Sequence, residues 1–169
     1  MMDGYLLDTN AASILWNSRD PDHEILRAFF QEKSQSLVWL SIIAFGEIEY
    51  GLKVTPQMDE DSQKEVRKRM SEYVFLEVNK HTVEPYSNLR SALFKRYSPR
   101  IKRGRLKIKW PEDLQERTSA KELGVQENDI WIAAQAIQYN LLLVSGDYMR
   151  RLQEVSTDLD YPLQLASWK

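Results

Sequence analysis

The sequence predicts an α/β protein built on a mostly parallel sheet. Two observations carry that prediction. Short apolar runs recur at Tyr5–Leu7, Leu37–Leu40, Val74–Val78 and Leu141–Val144, and helical patterning fills the stretches between them. A third observation bounds it: 169 residues with 43% hydrophobic side chains suffice for one ordinary core.

Tyr5 to Leu7 forms the opening strand. Asp20-Pro21 then supplies a capping residue and a proline at the first helical position, and the helix that follows places Ile25, Ala28 and Phe29 on one face. Leu37 to Leu40 is the second strand, and Ser41 caps a helix running to about Leu52. Residues 58 to 73 are charged and helical, and Val74 to Val78 is the third strand. A long helix covers residues 81 to 97 despite Pro85 near its start. A second helical stretch covers about 112 to 123, ended by Gly124. From Asn128 onward, Ile130, Ala133, Ala134, Ile137 and Leu141 follow the spacing of one buried helical face. Leu141 to Val144 is the fourth strand, and Pro162 to Ala166 is the candidate for a fifth. There is no internal repeat, low-complexity tract or domain boundary, so residues 1–169 read as a single domain with a basic insert around 95–111.

The formal charge of −2 gives no global signal for a polyanionic partner. The absence of cysteine excludes disulfides and thiolate metal sites. The N-terminus has no basic leader and its apolar run is broken by Asp8, so it does not read as a signal peptide. No stretch approaches the roughly 18 apolar residues that span a bilayer. The expectation is a soluble, cytoplasmic protein with no membrane partner.

In a parallel α/β sheet, functional groups collect beyond the carboxyl ends of the strands, where strand order reverses. Asp8 terminates the first strand in Leu6-Leu7-Asp8-Thr9-Asn10, and Asp147 follows the fourth in Val144-Ser145-Gly146-Asp147. Both acids emerge on the same edge of the sheet. Asp129 opens the helix before the fourth strand, where the helix dipole alone would favour a carboxylate. Glu47 lies inside a helix and shares a face with Ile43 and Gly51. Each acid alone has a bland explanation as a cap, turn or surface charge; their conjunction in this order does not.

That conjunction resembles the PIN-domain nucleases, in particular the VapC-type toxins of toxin–antitoxin pairs, over nearly the whole chain from Leu6 to about Leu165. Leu6-Leu7-Asp8-Thr9-Asn10 and Asp129-Ile130-Trp131-Ile132-Ala133-Ala134 match closely. Two features depart from the usual pattern. Ser145 stands where threonine is common, and the segment between Glu47 and Asp129 is longer than in compact toxins. The resemblance implies a three-layer α/β/α PIN-like fold with a four- to five-stranded sheet. It also implies that Asp8, Glu47, Asp129 and Asp147 are the catalytic acids holding Mg²⁺ or Mn²⁺, with Asn10 and Ser145 as polar supports. Cleavage of RNA leaving a 5′-phosphate and a 3′-hydroxyl would follow, and a cognate antitoxin would cover the acidic cleft. Five tryptophans and apolar helix faces leave room for a homodimer.

The chemistry suits those residue types. Clustered carboxylates cannot all stay ionised unless a cation sits among them, and oxygen-only ligands select Mg²⁺ or Mn²⁺ over zinc. The two histidines, His23 and His81, lie away from the acid motifs and read as surface or helix residues, which leaves a histidine-dependent mechanism little to work with.

Residues 95 to 109 hold eight Lys/Arg and no acid. Arg100, Lys102, Arg103, Arg105, Lys107 and Lys109 would meet RNA phosphates through counterion release, with Tyr97 and Trp110 stacking on unpaired bases. The same stretch also reads as a solvated loop balanced by Asp59-Glu60-Asp61, as a lysine-protected edge strand, or as a landing site for an acidic antitoxin. Two rival functions stand beside the nuclease. One is a phosphatase using Asp8 as nucleophile, although such enzymes want a second Asp where this chain has Asn10. The other is a non-catalytic RNA-binding or regulatory protein that kept the fold.

Overall fold

The computed structural model describes residues 4–33, 35–55, 59–100, 102–104, 107–146 and 149–169. Strands β1 (Tyr5–Leu7), β2 (Val38–Ser41), β3 (Val74–Leu76) and β4 (Leu142–Val144) pair in parallel in the order β3-β2-β1-β4. Leu7 is level with Leu40 on one side and with Val144 on the other. Leu6 and Leu7 point to opposite faces of the sheet and both are fully buried, which requires a covering layer on each face.

Among the described residues seven helices supply those layers: α1 (Thr9–Trp16), α2 (His23–Glu32), α3 (Ile42–Val54), α4 (Glu60–Ser71), α5 (Val83–Tyr97), α6 (Glu127–Gln138) and α7 (Met149–Ser156). The chain steps outward from β1 to β2 to β3 and then returns to β4 beside β1. Right-handed crossovers therefore place α1 to α4 on one face and α5 and α6 on the other. Packing agrees, since α1 meets α2 and α3 while α5, α6 and α7 pack on one another. The result is the three-layer α/β/α arrangement. Strand order reverses between β1 and β4, so the crevice lies beyond Leu7 and Val144. Among the described residues no helix is long and apolar enough to cross a membrane.

Several local readings change. Asp8 caps a helix, α1, that has no clear amphipathic period in the sequence. Helix α2 begins at His23 rather than at Pro21; Asp20 forms a turn by accepting the Asp22 N–H at 2.9 Å. Its core-facing residues are His23, Leu26 and the partly buried Phe29 and Phe30, whereas Ile25 and Ala28 are exposed. His23 is thus a core residue, its Nδ1 3.0 Å from the Ile14 carbonyl oxygen. Residues 112–123 are not a helix. A single 3₁₀ turn at Pro111–Asp113 leads into a loop closed by a Gln115–Glu122 bridge, with Ala120 in the left-handed region at φ 53°. The expected fifth strand reduces to one bridge, Leu143 to Leu165.

Candidate active site

Asp8 follows β1 directly, and its backbone N–H donates to the Val144 carbonyl at 3.2 Å, tying the ends of the two strands together. Its side chain caps α1: Oδ1 accepts from Ala11 N–H at 2.7 Å, while the Ser145 hydroxyl donates to Oδ2. The cap reading therefore holds for Asp8, on a carboxylate that also lies beyond the ends of β1 and β4. Burial pushes the Asp8 carboxyl up to about 6, the charge of Glu47 adds to the rise, and the bonds from Ala11 and Ser145 oppose it.

Asp129 occupies the third position of α6 and forms a capping box, its Oδ2 accepting from the Gln126 N–H at 2.8 Å. Burial lifts its carboxyl to about 7, with the charges of Asp8, Glu47 and Glu112 contributing. Glu47 projects from α3 between the other two. Thr9 donates its hydroxyl to Oε2, and the Asn128 amide donates to Oε1 at 3.0 Å. Glu47 therefore bridges the first turns of α1 and α6.

Behind the acids, Gln135 is fully buried. It accepts from the Ser41 hydroxyl at 2.6 Å and donates to the Leu76 carbonyl at 2.7 Å, which fixes α6 against the ends of β2 and β3. Trp168 donates its indole N–H to the Ser145 carbonyl at 3.0 Å and so fixes the end of β4.

The structure thus brings Asp8, Glu47 and Asp129 within electrostatic reach of one another and places Ser145 on Asp8. The Asn10 side chain is exposed, and its contribution to Asp8 is a backbone hydrogen bond. Asp147 lies outside the described residues. Among the described residues no salt bridge reaches the three acids. Also among them, no group of three or more His, Asp or Glu is gathered as a finished metal cage. Each carboxylate is instead drawn toward its own hydrogen-bond donors. The donor set is oxygen alone, and two carboxyls raised in the absence of a counter-charge are what a hard divalent cation would relieve. On that chemistry the residues fit such an ion.

Three participants escape a reading of the sequence. Thr9 and Asn128 hold Glu47, and their signal was adjacency to Asp8 and Asp129. Glu112 adds charge near Asp129 from a segment read as helical, and nothing in its sequence context marks it.

Around the basic segment, Arg100, Arg103, Lys107 and Lys109 are exposed, and Arg100 donates to the Gly104 carbonyl at 2.8 Å. The side chain of Lys102 and the whole of Arg105 fall outside the description. Residues 107–109 are not strand. Trp110 is 50% exposed, with the Lys109 ammonium 5.1 Å from its ring centre, whereas Tyr97 is 7% exposed and is not available for base stacking.

Compared with protein families, residues 5–156 match the PIN domain. Compared by sequence with curated proteins, the chain matches none. Among solved structures, DNA-bound VapBC from Salmonella typhimurium aligns with a TM-score of 0.68 at 17% identity, covering 100% of each chain. VapBC-1 from nontypeable Haemophilus influenzae aligns at 0.63 with 21% identity over 97% of each chain. VapBC2 from Rickettsia felis, bound to a DNA fragment from its promoter, aligns at 0.63 with 17% identity over 96% of each chain. At these identities the likeness is one of fold.

Proposed function

The chain belongs to the PIN domain family, and on that premise we propose that it is a Mg²⁺-dependent endoribonuclease, the toxin of a toxin–antitoxin pair. The observation that carries the reading is the convergence of Asp8, Glu47 and Asp129 beyond β1 and at the head of α6, with two of the carboxyls raised to about 6 and 7. The shared fold with VapBC proteins supports the toxin assignment. Residues 1–169 act as one PIN-like domain, placed in the cytoplasm with an RNA substrate, a cognate antitoxin and a homodimeric partner copy.

In this reading Asp8 and Asp129 would hold the ion directly, Glu47 would complete the shell or position the attacking water, and Asp147 would hold the ion or orient its waters. The chemistry such an ion would supply there is activation of a water for attack on the phosphodiester and relief of negative charge. The chain's own groups prepare the site. The Ala11 N–H and the Ser145 hydroxyl fix the plane of the Asp8 carboxylate. The Gln126 N–H fixes Asp129. Thr9 and Asn128 hold Glu47 at the mouth between α1 and α6. Exposed Arg100, Arg103, Lys107 and Lys109 offset the repulsion between an acidic site and a phosphate backbone. Cleavage leaves a 5′-phosphate and a 3′-hydroxyl.

Total RNA incubated with Mg²⁺, beside the Asp8→Asn variant, tests the reading: the wild type degrades RNA and the variant does not. Full activity in the variant removes the proposed site. One observation favours a second reading, a non-catalytic RNA-binding protein: each of the three carboxylates already accepts hydrogen bonds from the chain itself. Thermal stabilisation by Mn²⁺ separates the two, since a competent site gains stability and a decayed one gains none.

A further inference from the structure

Resting on the reading above, we infer that Lys107 to Trp110, which end the segment after α5, are a platform for the backbone of single-stranded RNA, and that Arg90 is the positioning residue that holds them at a fixed offset from the acids. Arg90 sits in the middle of α5 with 27% of its side chain exposed and its guanidinium 4.5 Å from the Phe94 ring centre. Nε donates to Glu127 Oε2 at 3.2 Å, and a terminal nitrogen of the same fork donates to the Lys109 carbonyl at 2.7 Å. Glu127 opens α6 two residues before Asp129, and Lys109 closes the basic segment. One planar group therefore ties the end of the segment to the start of the helix that carries a site acid.

A second strap runs in parallel. Glu112, just beyond the segment, accepts the Glu127 N–H at 2.9 Å and also adds its charge to the surroundings of Asp129. Glu127 is engaged further by the Tyr86 hydroxyl, and Tyr86 stacks on Trp131 with ring centres 3.7 Å apart and planes 7° from parallel. Glu127 is thus taken up by the clamp and is not one of the site acids. The anchored stretch presents Lys107 and Lys109 to solvent, with Trp110 half exposed beside them; Arg100 and Arg103 are exposed as well. A loose cationic loop must be ordered each time a strand binds. One held in place keeps its phosphate contacts in register with the cleavage point and avoids that ordering entropy. Lysine at position 90 would reach one partner but lacks the fork that spans both.

The test compares wild type, Arg90→Met and Arg90→Lys. A short labelled single-stranded RNA is bound in EDTA, limited trypsin digestion is followed after Lys107 and Lys109, and Mn²⁺-dependent thermal stabilisation is measured. The expected result for Arg90→Met is faster cleavage in the segment and an RNA affinity about tenfold weaker, with Mn²⁺ stabilisation equal to wild type. Arg90→Lys falls between the two. An unchanged digestion rate refutes the clamp. Faster digestion with unchanged RNA affinity refutes the platform, as does a wild type that binds polyglutamate but not RNA. Loss of Mn²⁺ stabilisation in Arg90→Met would move the residue's role to the acids and also overturn the proposal. Failure of the wild type to cut RNA would count against the nuclease reading alone, because the binding and digestion arms do not require cleavage.

Discussion

Replacing Asp8 by Asn removes a charge from a place that penalises charge, and the size of the effect follows from the displaced titration. Burial at the end of β1 lifts the carboxyl from 3.8 to about 6, helped by the charge of Glu47. The folded state therefore holds this proton to higher pH than the unfolded chain does. Between about pH 4 and 6 the folded state binds more protons, so metal-free stability falls as pH rises through that window and is level above it. A displacement of about two units corresponds to roughly 3 kcal/mol. Asn preserves the shape and an acceptor for the Ala11 N–H, but its amide cannot accept the Ser145 hydroxyl, which offsets about 1 kcal/mol. The net gain for Asp8→Asn is about 2 kcal/mol at pH 8 in EDTA, a rise of roughly 4–8 °C in Tm. Near pH 4 the wild-type carboxyl is already protonated in the fold, so the gain is gone and the lost hydrogen bond leaves the variant up to about 1 kcal/mol less stable. Thermal unfolding followed by circular dichroism from pH 4 to 8 reads both ends. A variant that gains nothing at pH 8, or as much at pH 4 as at pH 8, refutes the assignment of a buried, charge-penalised Asp8.

Ser145→Ala removes a hydrogen bond that favours the ionised form of Asp8. The pH range over which metal-free stability declines should therefore extend upward, and a pH series of denaturant midpoints that superposes on wild type contradicts this. Gly4→Ala strikes the fold instead: at φ +152° its added Cβ would lie 2.4 Å from the Leu37 carbonyl oxygen, which accepts the Tyr5 N–H beside β1. Destabilisation of at least about 2 kcal/mol is expected from such a backbone clash, and a Tm within a degree of wild type would contradict it.

The sheet was legible because its strands are uninterrupted apolar runs, and the Ser41 cap was legible because a hydroxyl directly precedes a helical pattern. Helix α1 was not. It is eight residues long, contains Asn10 and Ser13, and depends on the Asp8 cap and on packing under β1 rather than on propensity. The stretch 112–123 failed in the opposite direction. Its Glu, Gln, Lys and Leu residues favour helix, yet Leu123 N–H donates to the Leu114 carbonyl across the loop and Glu112 is drawn to α6, so tertiary contacts override propensity. Asp8 could be placed from its motif and strand-end position, and Asp129 from its motif and its place in the first turn of a helix. The partners of Glu47 could not, because Thr9 and Asn128 lie far from it in sequence and meet it only when the first turns of α1 and α6 converge on α3. Tyr97 shows the same limit: an aromatic inside a basic run reads as a stacking surface until the packing of α5 buries it.

The most direct test of the central claim is the cleavage rate of a labelled single-stranded oligoribonucleotide as Mg²⁺ is titrated in from EDTA, for wild type and Asp129→Asn. The wild type should not cut in EDTA, its rate should climb with Mg²⁺ to saturation, and Asp129→Asn should not cut at any Mg²⁺ concentration while its fold and RNA binding persist. Cleavage in EDTA, or an Asp129→Asn variant that cuts at the wild-type rate, would contradict that claim.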